Sequence, residues 1–179
     1  LMPVLLGWFA KGVDPDAGLL GFRRISESLG GTPWYLRMLR DSPAAAERLC
    51  TLLASSRFIT DLLEDTPEPI AWLDRTEDLK PRATDVIIGE LRSQLTRHTY
   101  SAEAIRAVRM VRRREILRLA MGEALGINSN AEVAHGLSDI DRGAIQSALA
   151  IAERETYIDG RTPLTDVAVI AMGRQGGAE

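Results

Sequence analysis

The chain has 179 residues, 45% of them hydrophobic and 26% charged, a balance that supports a packed core and excludes pervasive disorder. A net charge of -3 argues against a protein whose main task is wrapping nucleic acid, since that binding rests on a basic surface. Cys50 is the only cysteine, which excludes an internal disulfide framework and a cysteine-rich metal site and fits a reducing compartment, the cytoplasm by default.

The apolar opening Leu1 to Ala10 is broken by Pro3 and Gly7. It falls short of the roughly 20 residues of a membrane span and lacks the basic front of a signal peptide, so no membrane association is expected. Beginning inside an apolar pattern without an initiating Met, the chain reads as a segment excised from a larger protein. Helix starts then follow one recipe, a small polar N-cap residue and a proline in the first turn. Asp14-Pro15, Thr32-Pro33, Ser42-Pro43 and Thr66-Pro67 each open an apolar-periodic run, and Lys80-Pro81 opens another with a weaker cap. Gly30 and Gly31 read as a helix stop in which glycine takes the left-handed conformation. The polar connection Asp74 to Lys80 is a domain boundary, which makes residues 1–79 a helical cluster.

Two long elements follow, and residues 80–160 are expected to form a long-helix bundle. From Ser101 the pattern places Ile105, Val108, Met110/Val111, Leu117, Met121 and Leu125 on one apolar stripe that Gly126 ends. Ser129 and Glu132 stand at capping-box spacing before the next run, where Gly136-Leu137-Ser138 predicts either one interrupted helix or two stacked ones. Residues 161–179 begin with a turn. Asp166 to Met172 then reads as a short buried β-strand feeding Gly173-Arg174-Gln175-Gly176-Gly177. No fixed-period repeat is present. The predicted fold is mainly α, a multi-helix bundle with one C-terminal β-strand.

The strand-to-glycine segment carries the most chemical information. Gly173, Gly176 and Gly177 permit a tight turn and let main-chain N–H groups approach phosphate oxygens without Cβ obstruction, which makes them the candidate nucleotide-binding residues. The spacing is neither a Walker loop nor a dinucleotide fingerprint, and a plain glycine-rich turn is the competing reading. Arg106, Arg109, Arg112, Arg113, Arg114 and Arg118 lie on one predicted helix. They either meet phosphates or an acidic partner, or form a solvated face with Glu103 and Glu115. His98 and His135 lack a second ligand at metal-binding spacing. Asp139 and Asp141 follow Ser138 and read as helix N-terminal carboxylates. No residue of this chain is assigned a catalytic or metal-binding role.

Three segments in order, "RRREILRLA" (Arg112 to Ala120), "LSDIDRGAIQSAL" (Leu137 to Leu149) and "VAVIAMGRQGGAE" (Val167 to Glu179), resemble the bacterial glutamine synthetase adenylyltransferases, which are bifunctional adenylylating and adenylyl-removing enzymes. Members of that family carry Gly-Lys/Arg-x-Gly-Gly-x-Glu-Leu followed shortly by Ser-Asp-x-Asp. This chain supplies Gly173, Arg174, Gly176, Gly177 and Glu179 of that signature. The stretch Arg24 to Glu68 is similar to the central helical region that precedes the C-terminal, adenylylating unit.

The resemblance implies that the C-terminal strand opens a truncated nucleotidyltransferase sheet. It implies transfer of AMP from ATP to a tyrosine hydroxyl of glutamine synthetase in the control of nitrogen assimilation, with Mg2+ held by paired aspartates that would fall after Glu179. Glutamine synthetase and the PII signalling protein are then partners of the parent enzyme. The fragment itself is expected to be inactive and to hold neither ATP nor Mg2+. The rival reading is a self-contained helical module for protein interaction or regulation, with a basic face for an acidic partner.

Overall fold

The computed structural model describes residues 2–158 and 167–177. In chain order these form α1 (Met2–Phe9), α2 (Pro15–Leu29), α3 (Pro33–Asp41), α4 (Pro43–Ser55), α5 (Arg57–Asp65), two 3-10 helices (Glu68–Asp74 and Thr76–Leu79), α6 (Thr84–Arg97), α7 (Ser101–Ala124), α8 (Asn130–Ile158) and α9 (Arg174–Gly177). The protein is mainly helical. Two compact units emerge, one comprising Leu1–Lys80 with Leu117–Ser129, the other Pro81–Ile116 with Asn130–Glu179. No helix among the described residues is long and apolar enough to cross a membrane.

In the first unit, α4 is the hub, touching α1, α2, α3, α5 and the first 3-10 helix. It buries Ala45, Ala46, Leu49, Cys50, Leu52, Leu53 and Ala54. Small residues bring α2 close: a Cβ on Gly18 would lie 3.0 Å from Ala54 Cβ. Fully burying a leucine such as Leu49 or Leu52 stabilises the fold by about 1.5–3 kcal/mol. Local chemistry sets the helix ends. Asp14 Oδ1 accepts the Ala17 N–H at 3.1 Å and its Oδ2 accepts from Arg57 Nη2 at 3.1 Å, joining the starts of α2 and α5. The backbone bond first, and the arginine second, hold that carboxyl below its usual range.

Several sequence expectations need correction. Thr32 precedes α3 but its hydroxyl donates back to the Leu29 carbonyl, so it finishes α2 and makes no side-chain cap for α3. Ser42 likewise caps α4 without a side-chain bond, and Thr66-Pro67 leads into a 3-10 helix. Lys80-Pro81 does not open α6, which begins at Thr84. Lysine offers no acceptor for the orphan N–H groups of a first turn, and the Lys80 ammonium instead donates to the Ile127 carbonyl at 2.7 Å. Gly30 is right-handed, with φ -59°. The left-handed stop is Gly126, φ +67°, at the end of α7. There Ile127 N–H bonds the Gly122 carbonyl at 2.8 Å and Gly126 N–H the Glu123 carbonyl at 2.9 Å, the paired bonds of a Schellman termination.

In the second unit α8 runs unbroken from Asn130 to Ile158, through Gly136 and Gly143. Gly143 serves close packing: a Cβ there would lie 2.7 Å from Leu91 Cδ1 of α6. Ser138 is buried inside the helix, so it is no second cap. The stripe of α7 is narrower than its pattern predicts. Val108 and Val111 are buried, whereas Ile105 and Met110 are exposed. The described residues include no β-strand. Residues 167–172 of the expected Asp166 to Met172 strand carry no regular structure, and Val167, Val169, Ile170 and Met172 are exposed; Asp166 lies outside the described residues. A strand is defined by its ladder, and none forms among the described residues.

Candidate functional site

The glycine turn is built by stereochemistry that few other residues satisfy. Gly173 has φ +62°, a conformation in which L side chains are disfavoured. A Cβ on Gly176 would stand 2.6 Å from the Ala171 carbonyl oxygen, closer than any real contact. Gly177 N–H then donates to the Gly173 carbonyl at 3.0 Å and closes the single turn of α9, which lies beside α8. All three glycines are therefore in one turn, and two of them are sterically required by it. A backbone free of Cβ atoms can be approached closely by a large anion.

The arginines of α7 divide by use. Arg114 donates to Glu90 at 2.7 Å and to Glu115 at 2.9 Å, and Arg82 donates to the same two carboxylates at 2.7 and 2.9 Å. Glu115 is only 1% exposed while Arg82, Glu90 and Arg114 are half-buried, so this four-residue cluster runs from the interior of the second unit to its surface. Burial alone would raise the Glu90 carboxyl, but hydrogen bonds from Arg114 and Arg82 outweigh it and hold the group below its ordinary value. Burial would likewise lower both guanidinium groups, and their carboxylate bonds hold them above the usual value. Arg112 pairs with Asp141 at 2.9 Å. In the first unit Arg118 lies 3.9 Å over the Trp72 ring and donates to the Asp78 carbonyl. The solvated-face reading thus fails for Arg114 and Arg118 but suits the exposed Arg112–Asp141 pair, while Glu103 faces His98 at 3.6 Å.

Asp139 and Asp141 sit in mid-helix, where Asp139 accepts from Thr84 at 2.6 Å; they fasten α8 to α6 and α7 and do not serve a helix N-terminus. His135 is 2.7 Å from the Ala131 carbonyl within its own helix. No group of His, Cys, Asp or Glu suited to a metal ion occurs among the described residues. Cys50 is buried, and that burial pushes its thiol up to about 12, which leaves it protonated and inert.

Comparison with known proteins gives these features a context. The family model for glutamate-ammonia ligase adenylyltransferase matches residues 46–179. The chain belongs to that family. Similar curated relatives are the bifunctional glutamine synthetase adenylyltransferase/adenylyl-removing enzymes of Leifsonia xyli subsp. xyli, 48% identical over the whole chain, of Cutibacterium acnes, 38% identical over the whole chain, and of Streptomyces avermitilis, 40% identical over the whole chain. The chain spans 18–19% of the length of these three adenylyltransferases. No solved structure matches it. The turn at Gly173, Gly176 and Gly177 lies within the matched region. Sequence reasoning located that turn because its signal is local, and it missed the Arg82–Glu90–Arg114–Glu115 cluster because those residues come from distant positions. The one available hint was Glu115 standing on the apolar side of the α7 pattern.

Proposed function

We propose that this chain is the interdomain helical region and the opening segment of a nucleotidyltransferase unit, in an enzyme that transfers AMP from ATP to a tyrosine hydroxyl of glutamine synthetase and whose other half removes it. The observation that carries this reading is the 48% identity to an enzyme so named, over the full length of the chain. On this reading residues 1–79 and 80–160 are helical supports, and 161–179 supply the first strand and the glycine turn of the catalytic sheet. Val167 to Met172 would pair only when the remaining strands are present, which accounts for their exposed apolar side chains. On the same reading the parent enzyme works in the cytoplasm and the PII signalling protein regulates it.

The glycine turn fits a nucleotide. Gly173 and Gly176 would hold the phosphates by main-chain N–H groups, their absent side chains leaving the backbone open, and Gly177, whose own N–H closes the turn on the Gly173 carbonyl, would shape the seat. When bound, ATP would supply the adenylyl group to the acceptor hydroxyl, and its β- and γ-phosphates would leave as pyrophosphate. The task of these residues is to seat and orient it. Mg2+ does not fit what is described here, since the donor set lacks a carboxylate pair beside the turn, and its ligands are assigned to other parts of the parent enzyme.

The test has three arms. This chain, given ATP, Mg2+ and glutamine synthetase, is expected to incorporate no labelled AMP, and metal-dependent transfer by it would overturn the assignment. In the parent enzyme Gly176→Val should abolish transfer, because the side chain collides with the Ala171 carbonyl; unchanged transfer would remove Gly176 from the site. Reading the gene onward should give a leucine and then Ser-Asp-x-Asp, whereas a stop codon would favour a self-contained helical module.

A further inference from the structure

The outward face of α7 presents two arginines and two large apolar side chains that the second unit does not use. Ile105, Arg106, Arg109 and Met110 are neighbours on one face by their spacing, and Ile105 and Met110 are 41% and 67% exposed. Among the described residues Arg106 and Arg109 have no carboxylate, carbonyl or ring against them, although Arg112 and Arg114 of the same helix are each matched by an acid. Both are exposed. Ile105 and Met110 lie together beside two guanidinium groups as one mixed patch, and an internal face would not leave those two groups unpaired.

We infer that this face docks an acidic amphipathic helix of another protein, one bearing carboxylates three or four residues apart beside a leucine or methionine stripe. Charge complementarity selects that occupant. A second copy would set Arg106 and Arg109 against their own equivalents and is disfavoured by like-charge repulsion. Nucleic acid is disfavoured by the net charge of -3 and by the apolar pair, which a phosphate backbone cannot use. The apolar pair supplies contact area and the arginines supply register and on-rate. This docking face is independent of the glycine turn, so either assignment can fail alone.

The test uses the whole chain and three probes followed by fluorescence anisotropy: a designed helical peptide of about four turns with a glutamate row beside a leucine row, the same peptide with the leucines replaced by serine, and a short DNA duplex. The first peptide should bind, weakening as salt is raised, and the serine peptide should bind at least about fivefold more weakly. The double variant R106E/R109E should lose about tenfold or more, and M110S about threefold, with unchanged circular dichroism because all three positions are exposed. Absence of binding to the first peptide, or equal binding by R106E/R109E, overturns the inference. Duplex DNA binding as tightly as the peptide, and lost in the same double variant, overturns the assignment to a protein partner.

Discussion

The two units achieve burial by different means. Every large side chain below 2% exposure among the described residues, from Leu5, Phe9 and Tyr35 to Leu117 and Met121, lies in the first. The interior of the second also buries aliphatic side chains, Ile87, Leu91, Ile140 and Ile151, but it sets the buried hydroxyls of Ser138 and Ser147 and the carboxylate of Glu115 among them. Burial of hydrocarbon is non-directional and degrades by increments. A buried charge cluster depends on every partner, because removing one strands the others in a poorly solvated place. The first unit should therefore fail gradually under substitution and the second abruptly.

The largest expected effect breaks the cluster. Glu115→Ala leaves Arg82 and Arg114 sharing Glu90 alone and should destabilise the second unit by about 4 kcal/mol. Hydrogen exchange read on peptides of α6 and α8 would report it, and undiminished protection there would show that the cluster is not what holds them. Replacing all four members by apolar residues of similar size should cost much less than this single change, which separates a stranded charge from a lost attraction. Acid acts on the same groups. Because the folded Glu90 group is depressed, its contribution is complete above the ordinary carboxyl value of 4.5 and is lost as pH falls through the lower folded value. Protection of α6 should drop below about pH 4.5 while that of α4 persists.

Two substitutions in the first unit sharpen the contrast. Leu63→Ala removes a fully buried side chain of α5 and should cost about 3 kcal/mol, in line with other core truncations. Gly122→Ala should cost about 2 kcal/mol by the opposite route, overpacking. Its Cβ would meet Asn128 Nδ2 at 2.0 Å and the Leu79 carbonyl at 2.8 Å, and Asn128 already donates to that carbonyl at 2.9 Å. Denaturant unfolding followed by the fluorescence of Trp72, which Arg118 covers near this junction, reads both. Equal stability of Gly122→Ala and the parent chain would show that the Leu79 segment yields.

What could be read from the sequence follows from the range of the interaction concerned. Asp14 before Pro15 announces α2 because cap and orphan N–H are three residues apart. Gly126 ends α7 as its position suggests, since a left-handed residue is a local requirement. The Gly173 turn is legible for the same reason. Gly136 is misleading, since α8 runs straight through it and a glycine carried inside a helix looks in sequence like one that breaks it. The expected strand illustrates a further limit: "DVAVIAM" has the composition of a strand, but pairing is a property of two segments, and no second one forms a ladder with it among the described residues.

The smallest expected effect concerns a cap that lacks the proline signal. Ser56 joins α4 to α5, and its hydroxyl accepts the Ile59 N–H at 3.3 Å while its own N–H donates to the Leu52 carbonyl at 3.0 Å. One residue thus closes one helix with its backbone and opens the next with its side chain, so the two turn sharply with no connecting loop. Ser56→Ala keeps the backbone bond and loses the side-chain one, and should cost about 1 kcal/mol, whereas Ser56→Asp should recover most of it. The loss belongs to the first unit and should be graded, leaving protection of α6 and α8 untouched. If Ser56→Ala instead collapsed the first unit as Glu115→Ala is expected to collapse the second, the distinction between an incremental and an all-or-none interior would not hold.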